Sequence, residues 1–341
     1  MREKTHRWQT DAMCIHIGLV NNMPDSALEA TERQFRALLS EAASAEGIDV
    51  CLSLFALPEV PRSDIARCRI DASYSTVGEL WNEPLDGLIV TGAEPAARNL
   101  TEEPYWAVLA RLIDWAERNT HSTVWSCLAA HAAVLRLDAI ERRRFESKLF
   151  GVFDCTRQID HLLTAAIPPH IQIPHSRWND VPSDKLSACN YQVLTRLQNG
   201  SVDAFVKQTK SLFVFLQGHP EYDADSLLLE YRRDIRRFLN KQTQRYPSMP
   251  HGYFDDDTVS AFTELSAQAV ANRCEQCLAN FPLQSFNVKR TWRPHAFQLY
   301  RNWLRYLFVQ KSMSLGKRQK YNVNIGAPAA SAGTLFEEVK A

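Results

Sequence analysis

The stretch "HSTVWSCLAAHAAVLRL", residues 121–137, decides the fold. Its first seven residues are rich in apolar and β-branched types and read as a buried strand. The next ten are rich in alanine and leucine, carry no breaker, and read as a helix. No loop separates the two. A strand that turns directly into a helix is the repeating step of an α/β sheet, and the residue at the junction is Cys127. Such a turn exposes its side chain, and the helix N-terminus behind it favours a thiolate and offers N–H groups to an oxyanion. Ser126, Ala129 and Ala130 are small enough for the turn, although Trp125 and Ala129 stand where glycines would make the pattern strict. On this stretch alone a buried, inert cysteine is the commoner case.

The same alternation extends outward. "MCIHIGLV" (13–20), "IDVCLSLFAL" (48–57), "LDGLIVTGA" (85–93) and "SLFVFLQGHPEY" (211–222) read as apolar strands. Helices are predicted over 27–43, with Asp25 or Ser26 as N-cap, and over 105–119, 224–242, 255–280 and 294–313. Residues 138–210 are less regular, with a hairpin signal at "NGSVDAFVK". The expectation is an α/β protein with a mostly parallel sheet and helices on both faces, one domain over 1–313, and a disordered tail over 314–341.

Lys plus Arg and Asp plus Glu both number 39, so the overall charge offers no argument for nucleic acid or an anionic membrane as partner. No apolar run reaches the roughly eighteen residues of a membrane span, and the N-terminus lacks the apolar core of a secretory signal. A cytoplasmic location with reduced thiols is expected, and the eight scattered cysteines do not read as a disulfide framework. The lone CxxC at 274–277 lacks a second ligand pair at zinc spacing, and neither GxGxxG nor GxxxxGK[ST] occurs, so no metal or bound cofactor is expected.

A second strand end carries the groups that Cys127 would need. In "QGHPEYD" (217–223), His219 and Glu221 stand two apart, on one side of an extended chain. A carboxylate there would orient the imidazole, which makes Cys-His-Glu nucleophilic catalysis the joint reading. Glu230 and Arg233 follow three apart on one helical face. They read either as a surface salt bridge or as a cradle for an amino acid's ammonium and carboxylate. "IPHSRWND" (173–180) is a rigid turn with a cation, Arg177.

Taken in order, "LVNNMPDSALEATERQF", "LDGLIVTGAEP", "STVWSCLAAHAA", "KLFGVF", "PHSRWND" and "GHPEYDADSLLLEYRRD" resemble the homoserine O-succinyltransferase/O-acetyltransferase family over roughly residues 14–310. The resemblance implies a class I glutamine amidotransferase-like (flavodoxin-like) fold and a homodimer. It implies Cys127 as the acylated nucleophile, His219 as general base and Glu221 as its partner. Glu230, Arg233, Arg177, Ser176 and Lys148 become substrate-binding residues. The implied co-substrate is an acyl-CoA, succinyl-CoA or acetyl-CoA, and the acceptor is homoserine in an entry step to methionine synthesis. Ala96 stands at the position that separates donors in the family and resembles the succinyl type. Leu128 replaces a tryptophan that some members carry. Family lysines after the "NxMP" turn are missing, so Ser26 and backbone N–H groups are expected at the oxyanion pocket. Acetyl transfer to homoserine or serine, a glutamine amidotransferase-like hydrolase and a non-catalytic member are the competing readings.

Overall fold

The computed structural model describes residues 14–273, 288 and 290–325, with side chains through Gly316. Four strands come from the apolar runs of the first half: β1 (Ile15–Val20), β2 (Val50–Phe55), β3 (Gly87–Val90) and β4 (Ser122–Ser126). A block of five strands follows: β5 (Arg143–Arg157), β6 (His170–Asp180), β7 (Gln192–Leu197), β8 (Val202–Gln208) and β9 (Leu212–Leu216). All nine form one sheet in the order β2-β1-β3-β4-β9-β8-β7-β5-β6. From β2 to β9 every pairing is parallel. That half has the 2-1-3-4-5 strand order of the flavodoxin-type doubly wound sheet, with β9 in fifth place.

From β9 outward every pairing is antiparallel, so the sheet is mixed rather than mostly parallel. The irregular middle of the chain hides this half. β5, "RRFESKLFGVFDCTR", carries charges at both ends, and its register against β6 shifts between Arg144 and Leu149, which blurs the period-two pattern. The β7–β8 hairpin does turn at the predicted "NGS", with Gly200 at φ 85°.

The helices are α1 (Asp25–Glu46), α2 (Asp64–Ser73), α3 (Val77–Leu80), α4 (Trp106–Asn119), α5 (Leu128–Asp138), α6 (Ser183–Ala188), α7 (Ser226–Leu239), α8 (Asp256–Ala271) and α9 (Arg293–Ile325). α1 is capped by Pro24 without a side-chain bond, so neither Asp25 nor Ser26 is its N-cap. α9 runs past residue 313 to Ile325; residues 326–341 and the CxxC at 274–277 lie outside the described residues.

Val124 and Trp125 on β4 point to opposite faces and enter different cores. On one face α4 and α5 cover Trp125, Phe213 and Phe215. On the other, α1 and α9 cover Ile15, Ile17 and Leu19. A third core joins α7 and α8 to Phe150 and Trp292. Cys14 and Cys51, at the β1–β2 edge, are paired as a disulfide, which corrects the expectation that all thiols are free. Among the described residues no helix is long and apolar enough to cross a membrane.

Candidate active site

The junction after β4 is the turn that the sequence points to. Cys127 is the N-cap of α5 with φ 53° and ψ −112°, and it is partly exposed. A positive φ at a non-glycine residue is strained and is held only where neighbours determine it. Here the Cys127 N–H donates to the Leu216 carbonyl at 2.7 Å, tying the turn to the end of β9. On the other side Gly92, after β3, packs on Leu128: a Cβ at Gly92 would lie 2.6 Å from the Leu128 Cβ and 2.9 Å from its nitrogen.

His219 sits just beyond β9, buried, with its backbone N–H on the Pro174 carbonyl at 2.8 Å. Its Nδ1 pairs with Glu221 Oε1 at 2.8 Å, and Glu221 is equally buried. The Cys127 side chain interacts with the same imidazole. Burial disfavours the imidazolium, but the negative charges of Cys127 and Glu221 outweigh it and hold the His219 pKa well above its usual value. The three residues singled out from two separate stretches are therefore brought into one line, with His219 in the middle.

Tyr222 extends that line and was not singled out from the sequence. Its ring stacks on His219 with centroids 4.3 Å apart, and its hydroxyl donates to Glu230 Oε1 at 2.7 Å. Glu230 Oε2 accepts from Ser176 Oγ at 2.5 Å and lies 3.6 Å from Lys148 Nζ and 3.5 Å from Arg233 Nη2. Burial pushes the Glu230 pKa up, yet Lys148, Arg233, Ser176 and Tyr222 together bring it below the usual value. Asp234 completes the cluster, accepting from Lys148 at 3.1 Å and from Arg233 Nε at 3.0 Å. Lys148 and Ser176 meet because Phe150 pairs with Ser176 across β5 and β6, and Lys148 is two residues before Phe150 on the same face.

Arg177 does not join them. Strand alternation turns it to the other face, where it is 4% exposed. Its Nη1 donates to Asp180 at 2.8 Å, to the Asn179 carbonyl at 2.7 Å and to Gln217 at 3.1 Å, and its Nη2 to the Val202 carbonyl at 3.2 Å. It braces the ends of β6, β8 and β9. Its Nε donates to His175 Nδ1 at 3.3 Å, which leaves the His175 proton on Nε2, facing Asp203 Oδ1 at 3.3 Å. That tautomer makes the buried Cys155–His175–Asp203 cluster a poor metal site, since Nε2 carries a proton.

Ser26 lies exposed in the first turn of α1, and Ala96 is exposed on the loop after β3. Glu94, beside Ala96, turns away to a two-pronged pair with Arg237 at 2.9 and 3.0 Å. Under the "NNMPDS" turn a cation is present after all. The buried Arg62 donates to the carbonyls of Met23 at 2.8 Å and Asn21 at 3.1 Å, with Asp25 at 3.5 Å. Asn22 bonds to Thr91 and to the Leu57 N–H, joining the ends of β1, β2 and β3. Runs of Asn and a distant Arg carry no local signal of this; only the sheet order brings them together.

Residues 1–314 match the family model described as "HTS: Homoserine O-succinyltransferase". The chain is 50% identical over 295 residues to a homoserine O-succinyltransferase of Rhodopseudomonas palustris, covering 86% of this chain and 88% of that protein. It is 46% identical over 292 residues to one of Methylorubrum extorquens, covering 85% and 86%. A solved glutamine amido transferase from Methylobacillus Flagellatus is similar over 86% of this chain and 95% of its own, at 13% identity and a TM-score of 0.47.

Proposed function

The chain belongs to the homoserine O-succinyltransferase family, and from that membership we propose that its Cys127–His219–Glu221 line moves a succinyl group from coenzyme A to the side-chain hydroxyl of homoserine. The observation that carries the reading is continuity. His219 bridges Cys127 and Glu221, and through Tyr222 the same network reaches the Glu230 cluster.

In the first half-reaction the Cys127 thiolate attacks the thioester carbonyl of succinyl-CoA. A carbon–sulfur bond forms, the bond to coenzyme A breaks, and the departing thiolate takes its proton from the His219 imidazolium. In the second, the homoserine hydroxyl attacks the Cys127 thioester, neutral His219 accepts its proton, and the Cys127 thiolate leaves. Glu221 holds the ring and stabilises the cation in both steps.

Each tetrahedral oxyanion needs donors. The Leu128 N–H opens α5, where no intrahelical acceptor exists, and the Gly92 turn packs against it. We assign the oxyanion to these backbone groups, with Arg62 fixing the neighbouring turn from behind. Glu230 and Arg233 take the ammonium and carboxylate of homoserine, and Lys148 and Ser176 set their charge and position.

The test is a donor-by-acceptor matrix of succinyl-CoA and acetyl-CoA against homoserine and serine. O-succinylhomoserine and free coenzyme A are the expected products, and Cys127→Ala should abolish turnover. Silence across the whole matrix would overturn the reading.

A further inference from the structure

Arg142 lies in the connection between α5 and β5, immediately before the first residue of β5. Arg143, the next residue, pairs with Asp180 at the end of β6, and Val181 donates to Gln217 Oε1 at 3.2 Å. Gln217 follows Leu216, whose carbonyl holds the Cys127 N–H. The Arg142 guanidinium is thus placed at the carboxyl edge of the sheet, and it interacts electrostatically with the Cys127 sulfur and with His131 in α5.

Its hydrogen bonds are incomplete. Nη2 donates to the Arg98 carbonyl at 3.1 Å, whereas Nη1 is buried and has no acceptor. Glu103 and Tyr105 are near enough to act on its charge, but Glu103 Oε1 already accepts the Ala97 N–H at 2.6 Å. A buried guanidinium nitrogen without an acceptor is costly, and a ligand oxygen would relieve that cost. Arg142 also grips, through Arg98, the loop that carries Ala96.

We propose that Arg142 receives the terminal carboxylate of the dicarboxylic acyl group while Cys127 carries it, and so selects the acyl donor. The assignment rests on Cys127 as the acyl-bearing residue. A guanidinium fits a carboxylate fork and leaves a methyl terminus unrecognised. The phosphates of coenzyme A are the other anions within the same chemistry, and a donor with an uncharged chain of equal length separates the two.

The experiment measures acylation of Cys127 by intact-protein mass spectrometry, with succinyl-CoA and with butyryl-CoA, in the wild type, Arg142→Gln and Arg142→Lys. Arg142→Gln is expected to lower the acylation rate with succinyl-CoA by about a hundredfold and to leave butyryl-CoA within about threefold. Arg142→Lys keeps the charge without the fork and should fall between. Equal losses on both donors in Arg142→Lys would overturn the proposal and point to coenzyme A phosphate binding or a structural role. So would an unchanged succinyl rate in Arg142→Gln. A wild type whose Cys127 takes neither acyl group would overturn instead the reading of Cys127.

Discussion

At Cys127 the backbone holds a conformation that a residue with a Cβ avoids, at a cost of order 1–3 kcal/mol. The strain aims the thiol at His219. His219 in turn depends on Glu221, and the dependence has a sign that can be measured. Burial works against the imidazolium while Cys127 and Glu221 favour it, so its folded pKa lies well above the unfolded value. A raised pKa contributes stability in full below the unfolded value of about 6.5, and that contribution is lost as pH rises through the folded pKa. Glu221→Gln keeps the shape and removes the charge. It should destabilise the protein by about 1–3 kcal/mol near pH 6 and by less near pH 9, read from urea midpoints. The alkaline limit of the imidazolium should move to lower pH in the same variant. A penalty that stays constant across this range would contradict the charge argument.

The element that shapes the nucleophile's surroundings is the turn after β3. It can lie against the first residue of α5 only because position 92 has no side chain. Gly92→Ala forces a Cβ into the backbone of Leu128, which cannot swing aside as a long side chain would. The expected outcome is a loss of Cys127 acylation of about a hundredfold, the scale of a misplaced oxyanion donor. Stability should fall by about 1–3 kcal/mol. An active Gly92→Ala enzyme would mean that the β3 turn does not set the oxyanion site. The helix-then-strand rhythm around this turn is plain in the sequence because apolar parallel strands read as continuous runs. The β5–β6 pair is not, because its charged ends and shifted register interrupt the alternation.

Over the whole molecule, α9 closes the sheet face opposite α5. Trp303 is 1% exposed, its Nε1 donates to Ser122 Oγ at 2.9 Å, and with Leu307 it fills the space over Gly87. Ser122 passes the bond on to the Leu212 carbonyl at 2.6 Å, so α9 braces β3, β4 and β9 together. Trp303→Ala should cost about 3–5 kcal/mol through the cavity and the lost hydrogen bond to Ser122. Chemical denaturation tests this. A change within about 0.5 kcal/mol would show that the helix rests on the sheet without supporting it.

By itself the sequence determined the strand-to-helix turn at Cys127, the His-x-Glu pair at a second strand end and the helical spacing of Glu230 and Arg233. Each is a local pattern within a few residues, and backbone periodicity alone places its side chains. Only the tertiary structure decided the rest. It turned Arg177 inward while Ser176 and Lys148 joined Glu230. It stacked Tyr222 between His219 and the Glu230 cluster, put Arg62 beneath the "NNMPDS" turn, and brought Arg142 back to the nucleophile. Those placements follow from strand order and from which face of a strand is buried. Both are set by long-range pairing, and no short stretch of the chain encodes them.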